Sequence, residues 1–311
     1  MIVTVTMNPA IDKTVDVDQF AVGTLNRIQS SVLDAGGKGI NVSKTIQAIG
    51  GESIATGFVG GNAGKTIENV LQQLGIKTDF VQVDGETRTN TKVFAKNTGV
   101  TELNEKGAVI HKEQLDALFD KIMSYAGRDT LFVLAGSIPE GVPKDTYKVI
   151  IQMVHRVGSK VLLDADGELF RQSLPACPDI IKPNREELAE YAGVSGAFTQ
   201  EALLAAARKF LADGIQMVVV SMGGDGAMFL TQEEAYQCPG LKVKAHSTVG
   251  AGDAMVAGLA HSVDSKYNML EMMKLCVATS AGAVTTVGTK PPSLAVIEEL
   301  KPQVVMNKIG E

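Results

Sequence analysis

The fold of this chain is organised around one stretch, Ser247-Thr-Val-Gly-Ala-Gly-Asp-Ala-Met-Val-Ala-Gly-Leu259. Gly250 and Gly252 flank a single small residue, and a proline-free apolar run follows Asp253, as in a loop that enters a largely buried helix. A helix start offers unpaired backbone N–H groups and the positive end of the helix dipole. Glycine lets that backbone approach a phosphate closely. The stretch therefore predicts an anion-binding loop with a carboxylate at its edge.

Asp253 has two interpretations at this position. An acid at a helix start is often only a cap that the helix dipole favours. Beside a phosphate cradle, the same carboxylate can serve as a general base that takes the proton from a hydroxyl attacking the phosphoryl group. The rest of the chain has to decide between the two.

Composition excludes several classes of protein. The chain has 311 residues, 45% of them hydrophobic and 21% charged, which suffices for a large core and argues against disorder. Its net charge of −6 argues against nucleic acid as a partner. No apolar run has the length of a membrane span, and the N-terminus predicts a strand instead of a signal peptide. Three widely spaced cysteines fit reduced thiols in the cytoplasm and no zinc pattern.

From residue 112 onward, predicted helices and strands alternate. The helices are expected near 112–124, 144–157 and 200–212, and the strands at 131–135, 160–164 and 217–220. Alternation of this kind specifies a parallel sheet with helices on both faces. The predicted fold class is therefore α/β, a three-layer parallel-sheet sandwich, with residues 1–311 as a single domain.

Two segments, about 12–35 and 88–109, depart from this pattern. Val15 and Val17 alternate with aspartates, and Val93 lies in a similar alternating run. Such alternation is typical of half-exposed strands and unlike the continuous apolar runs of buried parallel strands. We expect the two segments to pair as a small antiparallel sheet, which would cover a site or bind a second copy of itself in a dimer.

A second glycine-rich loop spans Ala35-Gly-Gly-Lys-Gly-Ile-Asn-Val-Ser43, followed by a predicted helix. It brings Lys38 and Asn41 to a helix start where the glycines leave room for a ligand. Lysine supplies a point charge for phosphate, and asparagine supplies a donor and an acceptor for sugar hydroxyls. The alternative is a tight strand-to-helix turn with a lysine in solvent.

Two nucleotide-binding patterns fail in this sequence. Residues 60–66 resemble a P-loop, but the pattern would need glycine at Val59. The dinucleotide fingerprint would need its third glycine at Met255 or at Val42. Neither a P-loop nor a dinucleotide site is predicted.

Other polar residues are candidates because of where they lie. Asp12 follows the first strand and Ser137 follows the strand 131–135, and ligands of open α/β sheets gather at carboxyl ends of strands. Arg88 begins the second flap segment, where it would clamp a phosphate or lie on the surface. The hairpin Ser221-Met-Gly-Gly-Asp-Gly-Ala227 would pass beside a nucleotide or serve as a plain turn.

Together the motifs resemble the ribokinase family of sugar kinases, in the branch that includes phosphofructokinase B. The resemblance covers essentially the whole chain. Its motifs are Gly36-Gly-Lys-Gly-Ile-Asn41, Asn184-Arg-Glu-Glu187, Ser221-Met-Gly-Gly-Asp-Gly226 and Ser247 to Ala260. Within the family, Thr6-Met-Asn-Pro-Ala-Ile-Asp12 and Thr87-Arg-Thr-Asn-Thr-Lys92 are most similar to the 1-phosphofructokinases. Tagatose-6-phosphate kinases share most of these elements.

The resemblance implies a role for each matching residue. The base would be Asp253, and the anion hole would be formed by Gly250, Ala251 and Gly252. The sugar phosphate would be bound by Asp12, Gly37, Lys38, Asn41, Arg88 and Ser137. The ATP site would be lined by Lys182, Asn184, Ser221, Gly223, Gly224 and Gly226. Glu187 would help to hold Mg²⁺ through water. Family members often bind a monovalent cation beside the anion hole; the Asp-Thr-Thr common there is Ser247-Thr-Val249 here, which leaves that requirement open.

The predicted activity is ATP-dependent phosphorylation of a ketohexose monophosphate. Fructose 1-phosphate is the favoured substrate, and tagatose 6-phosphate is the alternative. Two hypotheses from other classes are a sensor that binds a sugar phosphate or nucleotide without turnover, and a dinucleotide oxidoreductase. The expected partners are the two small-molecule substrates and, through the flap, a second copy of the chain.

Overall fold

The computed structural model describes residues 1–96, 99–193 and 199–310. Its strands are β1 (Ile2–Thr6), β2 (Ala10–Val17), β3 (Ile28–Gly36), β4 (Ile54–Val59), β5 (Lys77–Thr78), β6 (Val81–Gln82), β7 (Arg88–Ala95), β8 (Gly99–Asn104), β9 (Leu131–Ala135), β10 (Lys160–Asp164), β11 (Ile180–Ile181), β12 (Met217–Ser221), β13 (Ala227–Thr231), β14 (Ala235–Cys238) and β15 (Asn307–Lys308). Its helices are α1 (Lys38–Ala48), α2 (Gly61–Gln73), α3 (Lys112–Tyr125), α4 (Thr146–His155), α5 (Gly167–Ser173), α6 (Arg185–Tyr191), α7 (Gln200–Ala212), α8 (Ala251–Asp264), α9 (Met269–Ala283) and α10 (Leu294–Leu300). None of these helices is both long enough and apolar enough to cross a bilayer.

The large sheet is mostly parallel, as the alternation of strands and helices predicts. Its order is β15-β14-β13-β12-β11-β10-β9-β1-β4-β5, and β6 also pairs with β4. The pairs from β12 across to β4 are parallel, whereas β13, β14 and β15 add an antiparallel edge. Because the strands from β4 to β12 point the same way, their carboxyl ends lie along one edge of the sheet, where the loops that matter for function begin.

Helices cover both faces of this sheet because each central strand is apolar on both sides. In β9, Phe132 and Leu134 pack into the core that α3, α4 and α7 share, whereas Leu131 and Val133 pack into the core beneath α1, α8 and α9. Burial on two faces is what a continuous apolar strand predicts. The result is the three-layer α/β sandwich that the sequence predicts.

The two segments predicted to leave the main fold form a separate four-stranded sheet, which we call the flap (β3-β2-β7-β8). Each segment is an antiparallel hairpin, and the two hairpins meet through a parallel pairing of β2 with β7. Val15, Val17, Val93 and Ala95 are buried on one face beside Phe20, as their alternation predicts. Residues 97–98 of the predicted segment 88–109 lie outside the described residues.

Candidate active site

The starts of two helices meet at the centre of the candidate site. Asn41, in the first turn of α1, donates a hydrogen bond from Nδ2 to Oδ2 of Asp253, in the first turn of α8, at 2.8 Å. Both side chains are buried, and Oδ1 of Asn41 is buried without a hydrogen-bond partner. The two glycine-rich loops of the sequence are therefore adjacent in space, and an acceptor is left for a donor that a ligand can supply.

Glycine is required at both helix starts. Gly37, before α1, has φ of 113°, and a Cβ there would lie 2.8 Å from Cγ2 of Thr6. Gly250, before α8, has φ of 83°. Side chains disfavour these backbone angles. The first N–H groups of a helix have no carbonyl partner within it, and together with the helix dipole they favour an anion at the start of α8.

Burial makes Asp253 a stronger base than an ordinary aspartate. Removal from water, and then the charge of Asp164, raise the pKa of Asp253 to about 6. The hydrogen bond from Asn41 and the charges of Lys38 and Lys182 act in the opposite direction and are weaker in sum. A carboxylate with a pKa close to neutral accepts a proton more readily than one with its usual value and is still ionised at pH 7. This property favours the general-base interpretation over that of a cap, and within the described residues the hydrogen bond given for the Asp253 carboxylate comes from Asn41.

Asp164, the last residue of β10, bridges two lysines beneath these helix starts. Its Oδ1 lies 3.3 Å from Nζ of Lys182 and 3.7 Å from Nζ of Lys38. Burial raises the pKa of Asp164, but the two ammonium groups outweigh it and hold that pKa below its usual value. The charge of Asp164 in turn raises the pKa of Lys38. Lys38 therefore keeps its positive charge when a phosphate arrives.

Arg88 lies at the start of β7 with part of its guanidinium group unpaired. Nη2 donates to the carbonyl of Asn8 at 3.0 Å and Nη1 to the carbonyl of Glu105 at 3.4 Å, while Nε is buried without a partner. Burial lowers the pKa of Arg88, and Asp12 partly offsets this effect. Two backbone carbonyls hold the side chain in place. Its buried Nε–H remains to donate a hydrogen bond to a phosphate oxygen.

Asp12 lies within β2 of the flap, not at the end of the first strand as expected. β1 ends at Thr6, and the chain re-enters extended structure at Ala10, so Asp12 pairs in register with Asp34 of β3 and Asn90 of β7. Nδ2 of Asn90 donates to Oδ1 of Asp12 at 3.4 Å, and Oδ1 of Asn90 is buried without a partner. Oδ2 of Asp12 stands against the backbone of Gly36, where a Cβ would collide with it. The carboxylate therefore reaches the loop before α1 from the flap.

Ser137 is exposed just beyond the carboxyl end of β9. Gly136, which precedes it, has φ of 88°, and a Cβ there would lie 3.5 Å from Cβ of Lys38. This places the strand end beside the lysine; no hydrogen bond between Ser137 and another predicted residue is given within the described part of the chain. Its membership of the site stays a prediction.

A cavity of about 570 Å³ opens beside the start of α8. Ala251 and Gly252 contribute to its wall, together with five of the six residues predicted to bind ATP: Asn184, Ser221, Gly223, Gly224 and Gly226. The sixth, Lys182, lies below the loop, where a Cβ added to Gly252 would be 3.6 Å from its Nζ. The remaining wall is largely apolar and includes Leu241, Val243, Met255, Val277, Ala281 and Val284. A cavity of this size with apolar walls and a polar end suits a nucleotide.

Two local pairings assemble the polar end of that cavity. The segment at Asn184 forms a parallel bridge with Ser221, and the hairpin between β12 and β13 turns through Gly226. A side chain at Gly226 would collide with the carbonyl oxygen of Cys238. The hairpin interpretation of this loop is confirmed, and glycine is required at its end.

Asn184 and Glu187 form a capping box at the start of α6. Oδ1 of Asn184 accepts from the N–H of Glu187, and Oε2 of Glu187 accepts from the N–H of Asn184, both at 2.8 Å. Within the described residues, no three His, Cys, Asp or Glu side chains are grouped to hold a metal ion. The single carboxylate of Glu187 fits Mg²⁺, which keeps several of its waters and takes one or two carboxylates together with substrate phosphates. The carboxylate of Glu187, held rigid by the box, still has lone pairs for a metal-bound water.

The helix start that resembles a P-loop is already occupied by the protein. Oε1 of Glu86 accepts from the N–H of Ala63 in the first turn of α2, at 2.5 Å. A side chain at Gly61 would collide with the same carboxylate. An anion from this chain therefore fills the position that a phosphate would need, in agreement with the rejected P-loop pattern.

Two residues of this region were not predicted from the sequence, namely Asp164 and Asn90. Asp164 ends a strand of the predicted sheet, so its position at the carboxyl edge was a usable signal. Asn90 follows Arg88 by two residues in a strand, so both side chains lie on the same face of the flap. Neither signal indicates which partner the side chain contacts.

Comparison with known proteins agrees with this geometry. The profile of the pfkB family carbohydrate kinases matches residues 5–295. A 1-phosphofructokinase of Bacillus subtilis is 36% identical over 309 residues, which cover 99% of this chain and 100% of the relative. Phosphofructokinase-2 from Escherichia coli, solved in complex with potassium, is similar with a TM-score of 0.91, 26% identity and coverage of 97% of this chain and 98% of that one. Its tetrameric inhibited form matches with a TM-score of 0.89, 25% identity and the same coverage.

The profile spans most of the chain, and the identity to the relative extends over nearly its whole length. With the glycine-rich loops, the buried acid and the nucleotide-sized cavity in one place, this chain belongs to the pfkB family of carbohydrate kinases.

Proposed function

We propose that this protein transfers the γ-phosphoryl group of ATP to O6 of fructose 1-phosphate and so forms fructose 1,6-bisphosphate. The observation that carries the proposal is the position of Asp253. Its helix turn lines the nucleotide-sized cavity through Ala251 and Gly252, while its carboxylate contacts Asn41 on the side of the flap. A base with a pKa of about 6 therefore stands between the two places where the substrates would lie. The 1-phosphofructokinase relatives support the choice of sugar.

In the proposed step, Asp253 takes the proton of the sugar hydroxyl as that oxygen attacks the γ-phosphorus. The bond from O6 to phosphorus forms, the bond from phosphorus to the β,γ-bridging oxygen breaks, and ADP leaves with the electron pair. The N–H groups of Gly250, Ala251 and Gly252 would stabilise the charge on the moving group, because they lie at a helix start.

The sugar phosphate would bind on the side of the flap. Arg88 would take the 1-phosphate, because its guanidinium group is held by backbone carbonyls and has a buried unpaired nitrogen. The hydroxyl groups would be bound by Asp12, Gly37, Lys38, Asn41 and Ser137. Closure of the flap would exclude water and so limit hydrolysis of ATP.

ATP would bind in the 570 Å³ cavity, with its base against the apolar wall. The phosphates would be bound by Lys182, Asn184, Ser221, Gly223, Gly224 and Gly226. Glu187 would hold the waters of Mg²⁺, which when bound offsets negative charge on the phosphates. We further propose that residues 1–311 act as one kinase domain and that the protein is cytoplasmic, in keeping with its three free cysteines.

The test is ADP release from Mg-ATP with four acceptors compared side by side: fructose 1-phosphate, tagatose 6-phosphate, fructose 6-phosphate and ribose. We expect kcat/KM to be highest for fructose 1-phosphate, because relatives named 1-phosphofructokinase match most of the chain. Ribose should be the poorest acceptor, because it has no phosphate for the fixed Arg88 to bind. Preference for tagatose 6-phosphate would keep the mechanism and change the substrate. ATP binding with no turnover of any acceptor would contradict the proposal and favour a sensor.

We also propose that two copies of the chain associate through the flap. On one face of the flap, the strand register places four residues in one row: Leu33, Lys13, Thr91 and Leu103. The leucines at its two ends are 61% and 55% exposed, although Val15 and Val93 in the next row are buried. Exposed leucines at the two edges of a face with a buried centre suit a second copy of the same surface. The tetrameric form of the E. coli protein supports self-association in this family.

Sedimentation velocity tests this association. Leu33→Asp combined with Leu103→Asp should convert a dimer to a monomer, because four charges would enter one apolar contact. Val305→Asp is the matched control, since Val305 is 57% exposed outside the flap and should leave the dimer intact. A wild-type protein that sediments as a monomer at micromolar concentration, or a double variant that stays dimeric, would contradict the proposal.

A further inference from the structure

One buried carboxylate joins the two lysines of the site. Asp164 is only 5% exposed in its side chain, and the same oxygen, Oδ1, faces Nζ of Lys182 and Nζ of Lys38. Lys182 is 6% exposed and Lys38 is 35% exposed. The lysines come from separate elements, since Lys38 opens α1 and Lys182 lies between β11 and α6. A single anion therefore joins two cations that lie on separate elements.

The two lysines belong to the two halves of the site. Lys38 lies in the first turn of α1 with Asn41, on the side of the flap. Lys182 lies below the loop at the start of α8, close to Gly252, which lines the nucleotide-sized cavity. Two ammonium groups that converge on one place repel each other, and a buried ammonium without a partner is costly. The carboxylate of Asp164 offsets both the repulsion between the two ammonium groups and the cost of burying an ammonium group. It also sets the positions of the two groups.

Asp164 also acts on Asp253 by its charge. Four charged groups influence the carboxylate of Asp253 besides burial: Asp164 raises its pKa, and Lys38 and Lys182 lower it, while Lys44 of α1 interacts with it at longer range. Asn41 supplies the one hydrogen bond given for that carboxylate within the described residues. Loss of the charge of Asp164 would remove the repulsion and release two ammonium groups to interact with Asp253. Both changes would lower the pKa of Asp253.

We propose that Asp164 is a positioning residue, which holds Lys38 and Lys182 in register with Asp253 and so couples the sugar side of the site to the nucleotide side. The proposal rests on the proposed kinase function. Asp164 touches neither substrate in it and acts through the two lysines.

The experiment compares Asp164→Asn, Asp164→Glu and the wild type by kcat/KM between pH 5 and 9, with Asp166→Asn as the matched control. Asp166 is an exposed carboxylate two residues further on; its charge acts on Lys38 more weakly than that of Asp164, and the ion pairs given for the two lysines within the described residues are with Asp164 alone. We expect the asparagine variant to lose roughly 10²-fold in kcat/KM at pH 8. We also expect that, as the pH is lowered, the rate of this variant declines at a lower pH than the rate of the wild type. The control should match the wild type in both respects.

The pH profile separates positioning from a structural role. A variant that merely folds less well loses rate at every pH, but the decline of its rate on the acid side of the profile (the acid limb) stays at the wild-type pH. An asparagine variant with the wild-type rate, or with an acid limb at the wild-type pH, would overturn the proposal. The wild-type profile comes first, so absence of turnover in the wild type would count against the proposed function and not against Asp164.

The glutamate variant decides the matter if the asparagine variant does not fold. It keeps the charge but places it one methylene further along, so the acid limb should stay in place while kcat/KM falls by about 10-fold. Wild-type kcat/KM in Asp164→Glu would overturn the proposal, because the position of the carboxylate would then be unimportant. Nucleotide affinity, measured by calorimetry without any sugar, should also fall in this variant through the displaced Lys182.

Discussion

Asp253→Asn should lose turnover by about 10²–10⁴-fold while it retains most of its affinity for ATP. The amide has nearly the shape of the carboxylate and can still accept the hydrogen bond from Asn41, but it cannot take a proton from the attacking hydroxyl. Steady-state kcat and a calorimetric Kd for ATP check the two parts of the prediction. Near-wild-type kcat in a folded variant would remove Asp253 from the role of base.

The wild type supplies the pH control for this variant. Because Asp253 titrates at about pH 6, kcat/KM should fall as the pH drops through that value, when the base becomes protonated. The residual activity of Asp253→Asn should not show that step. A step that persists in the variant would assign the titration to another group.

The same substitution should make the fold more stable at neutral pH. The pKa of Asp253 is about 6 in the folded protein against 3.8 as the ordinary value, so the folded state binds a proton more readily than the unfolded state. Above pH 6 the buried charge therefore costs about 3 kcal/mol of stability, and the cost disappears as the pH falls towards 4. Thermal unfolding should show a higher Tm for Asp253→Asn at pH 8 and a smaller difference near pH 4.5. An unchanged Tm at pH 8 would contradict the cost of burial.

Arg88→Ala should raise the KM for fructose 1-phosphate on the order of 10²-fold and leave the KM for ATP nearly unchanged. A charge-assisted pair between guanidinium and phosphate is strong where part of the arginine is already buried, and here two backbone carbonyls fix the group before the substrate arrives. Initial rates over a matrix of both substrate concentrations separate the two constants.

Lys96→Ala is the matched control for that variant. Lys96 follows the same strand, is 85% exposed in its side chain and pairs only with the exposed Asp18 among the described contacts, so its loss removes the same charge at the surface. Both KM values should stay at the wild-type level. An unchanged KM for the sugar phosphate in Arg88→Ala would exclude Arg88 from the phosphate site.

Much of the fold could be predicted because its signals are local. The continuous apolar run Leu131–Ala135 is a strand that is buried on both faces, whereas Val15 and Val17, which alternate with polar residues, are buried on one face of the flap. Each hydrophobic pattern therefore indicates how its own strand is buried. Gly37 and Gly250 adopt backbone angles that other residues avoid, so both loops were visible from glycine alone. The pairing of the flap strands was only partly predictable. A hairpin is local, whereas the parallel contact of β2 with β7 joins distant segments.

The same distinction between local signals and contacts of distant segments applies to the candidate site. The glycine-rich helix starts could be predicted from the sequence, as could the acid that follows one of them and the polar residues at strand ends, because each depends on neighbours along the chain. The hydrogen bond from Asn41 to Asp253, across 212 positions, and the ion pairs that join Asp164 to Lys38 and Lys182 exist only in the folded protein. Burial likewise raises the pKa of Asp253 only in the folded protein. Hydrogen bonds, ion pairs and desolvation depend on distances in space, and packing of the sheet and its helices sets those distances.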